Sequence, residues 1–225
     1  MKQVDRILSE GGLWGWLVKP YVFNFLKPDV WSMIEESRLI ASVIANRWLM
    51  AQAAYTMVPF RYRNHPPHIY PKVKKFMDEF RCAEGRNVKV GVVGFCWGGY
   101  HVTHLAHGDL AANGRTIIDA AFTAHPSGLT IPADIKGVVL PYSVSIGDVD
   151  FAIPMKEVEM MKHILKENQD LDSEVVVIPN AKHGFAVRAD CDDQTAMAMA
   201  EQAEDQAVKW FEKHLSGGAV AARKG

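Results

Sequence analysis

Cysteine is scarce in this 225-residue chain: Cys82, Cys96 and Cys191 are widely spaced and form no CxxC pair. That count argues against a disulfide-stapled scaffold and a cysteine-ligated zinc module, and it fits a reducing compartment. Excess charge of one sign is missing too. With 25 Lys+Arg against 26 Asp+Glu the net charge is −1, so no strong global field draws the chain to nucleic acid or to an anionic membrane. No apolar run reaches the roughly 18 residues of a membrane span; the nearest, 38–60, is broken by Asn46, Arg47 and Gln52. The opening residues, MKQVDRILSEGG, lack the basic head and apolar core of a secretory signal. A cytoplasmic protein with no nucleic-acid or membrane partner is the expectation.

What is present suits a packed domain. Hydrophobic residues make up 48% and charged residues 23%, enough to bury a core, and the length favours one domain over 1–225. The last residues, 217–225, read as a flexible tail. Character changes near residue 81, with a net charge of +5 before it and −6 after it. Between Trp31 and Met57 apolar residues recur at spacings of three and four, which predicts helix. Pro66, Pro67 and Pro71 then break the pattern, and Pro71 suits the first turn of a second helix reaching Phe80. Tyr21–Leu26 is the one strand-like stretch in this first part.

The second part alternates strand-like and helical runs. Val88–Phe95, Ile117–Ala124, Gly137–Ile146 and Glu174–Ile178 read as strands; Gly98–His107, Met155–Glu167 and Thr195–His214 read as helices. Strands separated by helices argue for βαβ units and a mostly parallel sheet flanked by helices.

The sharpest chemical feature is Gly94-Phe95-Cys96-Trp97-Gly98-Gly99, at the end of the first of these strands and the start of a helix. It is a G-x-nucleophile-x-G elbow with cysteine as nucleophile. Such a turn strains the nucleophile's backbone, and neighbours without a Cβ let strand and helix close up. A thiol at a helix N-terminus is favoured as thiolate. The backbone N–H of Trp97, the residue after the nucleophile, is the natural oxyanion donor. No Lys-Ser/Thr pair follows, so a phosphate-cradling loop is the weaker reading.

An elbow nucleophile calls for an acid and then a histidine in chain order. Asp148 and Asp150 follow the third strand and His183 follows the fourth; Cys96, Asp150 and His183 are 54 and 33 residues apart. Each would sit at the C-terminal end of a parallel strand, where open α/β sheets gather their ligands. The imidazole would take the thiol proton while the carboxylate fixes its tautomer. Either aspartate could serve as the acid, the other bonding to nearby backbone.

The elbow, Gly147-x-x-Asp150 with Pro154 four residues on, and His183-Gly184-Phe185 together resemble the dienelactone hydrolase family, closest to its fungal members, over about 66–214. The resemblance implies an α/β-hydrolase fold and a Cys96–His183–Asp150 triad that opens small, anionic lactones or esters through a thioester. It implies no metal and no organic cofactor. It makes Arg188 the nearest counterpart of a substrate-binding arginine, one residue further from the histidine than in bacterial members. Family members also carry strands before the elbow and a loop that supplies a second oxyanion N–H. Here residues 31–81 read as a helical insert, so the fold is expected to be N-terminally incomplete. Two consequences follow from an incomplete sheet: an open edge that invites a homodimer, and, as the alternative function, a weak or inactive homologue serving as a binding or oligomerisation module. A redox sensor built on Cys96 is a third reading, without an adjacent resolving cysteine.

Other signals are weaker. His101, His104 and His107 lie on the elbow helix, but their spacing fans them around it, so all three cannot meet one metal, although a pair could. Cys191 sits among Asp190, Asp192 and Asp193, which disfavour its thiolate. Lys72, Lys74 and Lys75 with Arg61 and Arg63 read as a solvated basic face.

Overall fold

A computed structural model describes residues 47–216. They fall into two compact units that part between Arg63 and Asn64. In the first, residues 47–63 are helical, which continues the expected helix past Met57. The expectations for residues 31–46, for Tyr21–Leu26 and for the tail lie outside the described residues.

The second unit runs α1 (Pro66–Cys82), β1 (Gly91–Phe95), α2 (Gly98–Leu105), β2 (Ala120–Ala124), α3 (Ala133–Lys136), β3 (Tyr142–Gly147), α4 (Met155–Glu167), β4 (Ser173–Ile178) and α5 (Gln194–Leu215). Its strands form one parallel sheet in the order β1-β2-β3-β4. This is an α/β-hydrolase type of sheet with helices on both faces.

The strands are nearly continuous apolar runs because both faces are covered. Ala121, Tyr142, Val144 and Ile146 turn toward the larger core with Val102, Leu105, Val158 and Met161 from the helices. Phe122 and Ala124 turn to the opposite face, where Trp210 of α5 packs. All six residues of β3 are buried, as befits an inner strand. Outside β1 nothing pairs with the sheet among the described residues, and Val93 and Phe95 stay 48% and 38% exposed.

Three strands begin later than the sequence predicts, and side chains explain two of them. Arg81, fully buried, donates to the carbonyls of Val88 and Ile117, while Asp119 accepts the Val90 N–H at 2.7 Å. These contacts take up backbone groups on which regular pairing before Gly91 and Ala120 would depend. In the third, Val139 and Leu140 donate to Ala106 O and Pro141 has no N–H, so β3 starts at Tyr142. Helix α1 is also a correction. It begins at Pro66, with prolines in its first two positions where N–H groups have no partner anyway, and it carries Pro71 inside rather than starting there.

Candidate active site

Cys96 follows β1 directly and has φ 52°, a left-handed conformation for a residue with a side chain. The turn is closed by Gly99 N–H to Cys96 O at 3.0 Å and by Ser127 N–H to the same carbonyl at 2.9 Å. Glycines permit it: a Cβ at Gly94 would meet Gly98 O at 2.6 Å, and one at Gly99 would meet Pro126 Cβ at 2.5 Å. Thr123 Oγ1 donates to Gly94 O at 2.8 Å and pins the elbow to β2. The N–H of Trp97 stands at the entry to α2, where helical N–H groups lack an internal acceptor. The Trp97 ring is held by its Nε1–H on Asn64 O at 3.0 Å.

The strand ends bring three side chains together. His183 Nε2 lies 3.1 Å from Cys96 Sγ, and His183 Nδ1 lies 2.9 and 3.0 Å from the two oxygens of Asp150. The side chains of His183 and Asp150 are 5% and 0% exposed. Asp150 Oδ1 also accepts the Ala152 N–H at 2.8 Å, which fixes its plane. Asp148 is turned away: its Oδ1 takes the Asn180 N–H at 2.6 Å. The two loops touch because Gly147 presses on Ala181, where any Cβ would lie 1.9 Å from the carbonyl oxygen. Such an array can pass a proton from thiol to imidazole while a carboxylate holds the imidazolium.

Arg188 is exposed, and its guanidinium lies over Gly184, Nε standing 3.0 Å from where a Cβ would be. Among the described residues it forms no ion pair with Asp190 or Asp192. On α2, His101 is buried against the Trp97 ring at 4.4 Å and His104 Nδ1 lies 2.8 Å from Tyr100 O, whereas His107 falls past the end of the helix, its Nε2 2.8 Å from Asp134 O. His104 and His107 thus share Asp134, the His104 Nε2 lying 3.4 Å from its Oδ1, and their rings stand 4.9 Å apart.

Sequence reasoning missed three neighbours. Phe151 is 83% exposed, with its ring 4.9 Å from that of His183. Ser127 Oγ lies 3.7 Å from Cys96 Sγ. His125 is fully buried at the end of β2, with φ 40° and its ring 5.1 Å from His183. The signal was available: His125-Pro126-Ser127 follows the second strand as Cys96, Asp150 and His183 follow the others.

Burial, then the neighbouring His183, pushes His125 from 6.5 down to about 4. Between those values the unfolded chain binds a proton that the folded chain refuses, so stability falls as pH drops through that window. Burial shifts His101 and His214 in the same direction. Unfolding free energies from urea titrations between pH 7 and pH 4 are expected to fall more steeply in the parent than in His125→Asn, by up to about 1.4 kcal/mol per pH unit. Equal slopes would contradict this.

Comparison with known proteins agrees with the architecture. The model of the dienelactone hydrolase family matches residues 61–215. The hydrolase pyvD of Aspergillus violaceofuscus is 30% identical over 151 residues, covering 67% of this chain and 57% of that protein. The hydrolase tropI of Talaromyces stipitatus is 29% identical, over 68% and 57%. A human carboxymethylenebutenolidase homolog is 24% identical over 56% of this chain and 49% of its own length. The chain thus spans about half the length of these curated relatives, 49% to 57%. Among solved structures, a Klebsiella pneumoniae protein assigned as a dienelactone hydrolase superposes with a TM-score of 0.52 at 20% identity, over 66% of this chain and 62% of that one. An acetyl ester-xyloside bifunctional hydrolase from Caldicellulosiruptor lactoaceticus gives 0.51 at 16%, over 65% and 66%. No helix among the described residues is long and apolar enough to cross a membrane.

Proposed function

The chain belongs to the dienelactone hydrolase family, and from that premise we propose that it hydrolyses a small lactone or carboxylic ester through Cys96, His183 and Asp150. The observation that carries this reading is His183 bridging the two partners, 3.1 Å from Cys96 Sγ and 2.9 Å from Asp150.

In this reading His183 Nε2 takes the thiol proton as Cys96 Sγ adds to the carbonyl carbon. The oxyanion that forms is met by the Trp97 N–H. The C–O bond to the alcohol then breaks, and the imidazolium returns its proton to the leaving oxygen. An acyl-thioester remains on Cys96; in a lactone the alcohol stays attached as the far end of the acyl chain. Water, deprotonated by His183, attacks the thioester, and the carboxylic acid leaves as the thiol is restored. Asp150 keeps the proton of Nδ1 in place throughout, so that Nε2 is free to accept. Arg188 is the group suited to a substrate carboxylate, because a guanidinium can pair with it through two parallel hydrogen bonds. The chemistry requires no metal or organic cofactor.

The test is a time course of p-nitrophenyl acetate hydrolysis by the parent and by Cys96→Ala. Steady, multiple-turnover release that the substitution reduces by at least about 10³ is the expected result. Equal release from both proteins would end the thiol-hydrolase reading.

A further inference from the structure

His125 is a costly residue in its position. Its ring is fully buried, between Phe95 at 6.0 Å, Phe185 at 5.5 Å and His183 at 5.1 Å, and neither ring nitrogen has a hydrogen-bond partner among the described residues. Burying an imidazole without partners is destabilising, and a plain aromatic ring would avoid that cost. The backbone supplies a reason for histidine. At φ 40° the chain is left-handed, and the side-chain-bearing types enriched there are Asn, Asp and His. Of these only histidine offers an aromatic ring.

We propose that His125 is a positioning residue: its ring is the fixed wall that holds His183 in register between Asp150 and Cys96. The inference rests on the hydrolase reading for its purpose and on geometry for its content. The two rings meet nearly edge to face, at an interplanar angle of 69°. On His183 the other aromatic neighbour is Phe151, tilted by 50° and largely exposed, so it can yield while His125 cannot. Polar contacts fix His183 only at its two nitrogens, which leaves rotation about the Asp150–Cys96 line open. Packing against a buried ring removes that freedom. His125 is itself tied to the sheet by its N–H on Ser145 O at 2.8 Å, and Ser127, two residues on, donates to the carbonyl of Cys96 at 2.9 Å. One short segment therefore braces both nucleophile and base. The charged or titratable groups that act on this pair of rings are Asp150, Cys96 and Arg188.

Two substitutions separate the ring from the backbone. His125→Asn keeps a residue suited to positive φ and deletes the ring; His125→Phe keeps the ring and strains the backbone. The readout is the rate at which iodoacetamide alkylates Cys96 between pH 4 and 9, followed by mass spectrometry of the Cys96 peptide so that Cys82 and Cys191 do not contribute. His125→Asn is expected to slow alkylation at pH 6 about tenfold and to change the shape of the pH profile, as loosened geometry weakens the thiol–imidazole pair. His125→Phe is expected to melt at a lower temperature yet follow the parental profile within about threefold. A parental profile for His125→Asn would overturn the proposal. So would a loss in folded His125→Phe equal to that in His125→Asn, since it would assign the effect to the ring nitrogens. If the expected shift occurs in a protein with no Cys96-dependent ester turnover, the hydrolase reading fails and the positioning role stands.

Discussion

Asp119→Ala is expected to cost about 3–5 kcal/mol of folding stability, a large share of the 5–15 kcal/mol typical of a domain. The reason lies beneath the sheet, away from the active site. Arg81 is fully buried, and its guanidinium is committed to the carbonyls of Ile117, Val88 and Gly85 at 3.1, 3.0 and 3.2 Å and to the Asp119 carboxylate. That carboxylate also accepts the Val90 N–H at 2.7 Å. Removing it leaves a buried cation without its counter-charge and a backbone donor without an acceptor, and those two costs add. The check is a urea titration followed by tryptophan fluorescence, with the midpoint expected to fall by more than about 1 M. A fall below about 0.3 M would mean that solvent or a nearby group replaces the carboxylate.

The second large effect concerns turnover. Asp150→Asn is expected to lower kcat for p-nitrophenyl acetate by about 10²–10⁴ with little change in melting temperature. Both Asp150 oxygens face His183 Nδ1, and the side chain is fully buried. An asparagine of the same shape can turn its NH2 toward that nitrogen. Nδ1 then becomes the acceptor, the ring proton moves to Nε2, and the thiol finds a donor where it needs an acceptor. Asp148→Asn is the control, since Asp148 binds the Asn180 N–H instead. A loss in that variant as large as in Asp150→Asn would reverse the assignment of the acid.

The parts of this site that were legible in the sequence share a cause. Gly94, Cys96 and Gly99 stand at fixed spacing because a Cβ at either glycine would collide across the strand-to-helix turn, and so the pattern shows in one dimension. The βα alternation was legible for the same reason: strands covered on both faces must be apolar throughout. Strand beginnings were not, because Arg81 reaches carbonyls as distant in sequence as Ile117 and takes backbone groups out of the ladder. Nothing local to Val88 announces that. Pro71 misled because proline is most at home in a helix's first turn, whereas here Pro66 and Pro67 take that place and Pro71 stands inside. His125 escaped notice because its role comes from contact with His183, 58 residues later in the chain.

The strand order also sets a schedule. Because β1, β2, β3 and β4 lie in the sheet as they lie in the chain, each strand can join an edge that already exists, through one crossover connection at a time. A nascent chain emerging from its N-terminal end can add them one at a time. Cys96 is the first of the three groups to be placed, Asp150 comes with the third strand, and His183 waits for the fourth. A ribosome stalled before β4 would thus hold a nearly finished sheet whose thiol has no base. Reactivity at Cys96 would be acquired only once the segment carrying β4 and His183 has been added, and a time course of thiol labelling on stalled chains of increasing length would read that order directly.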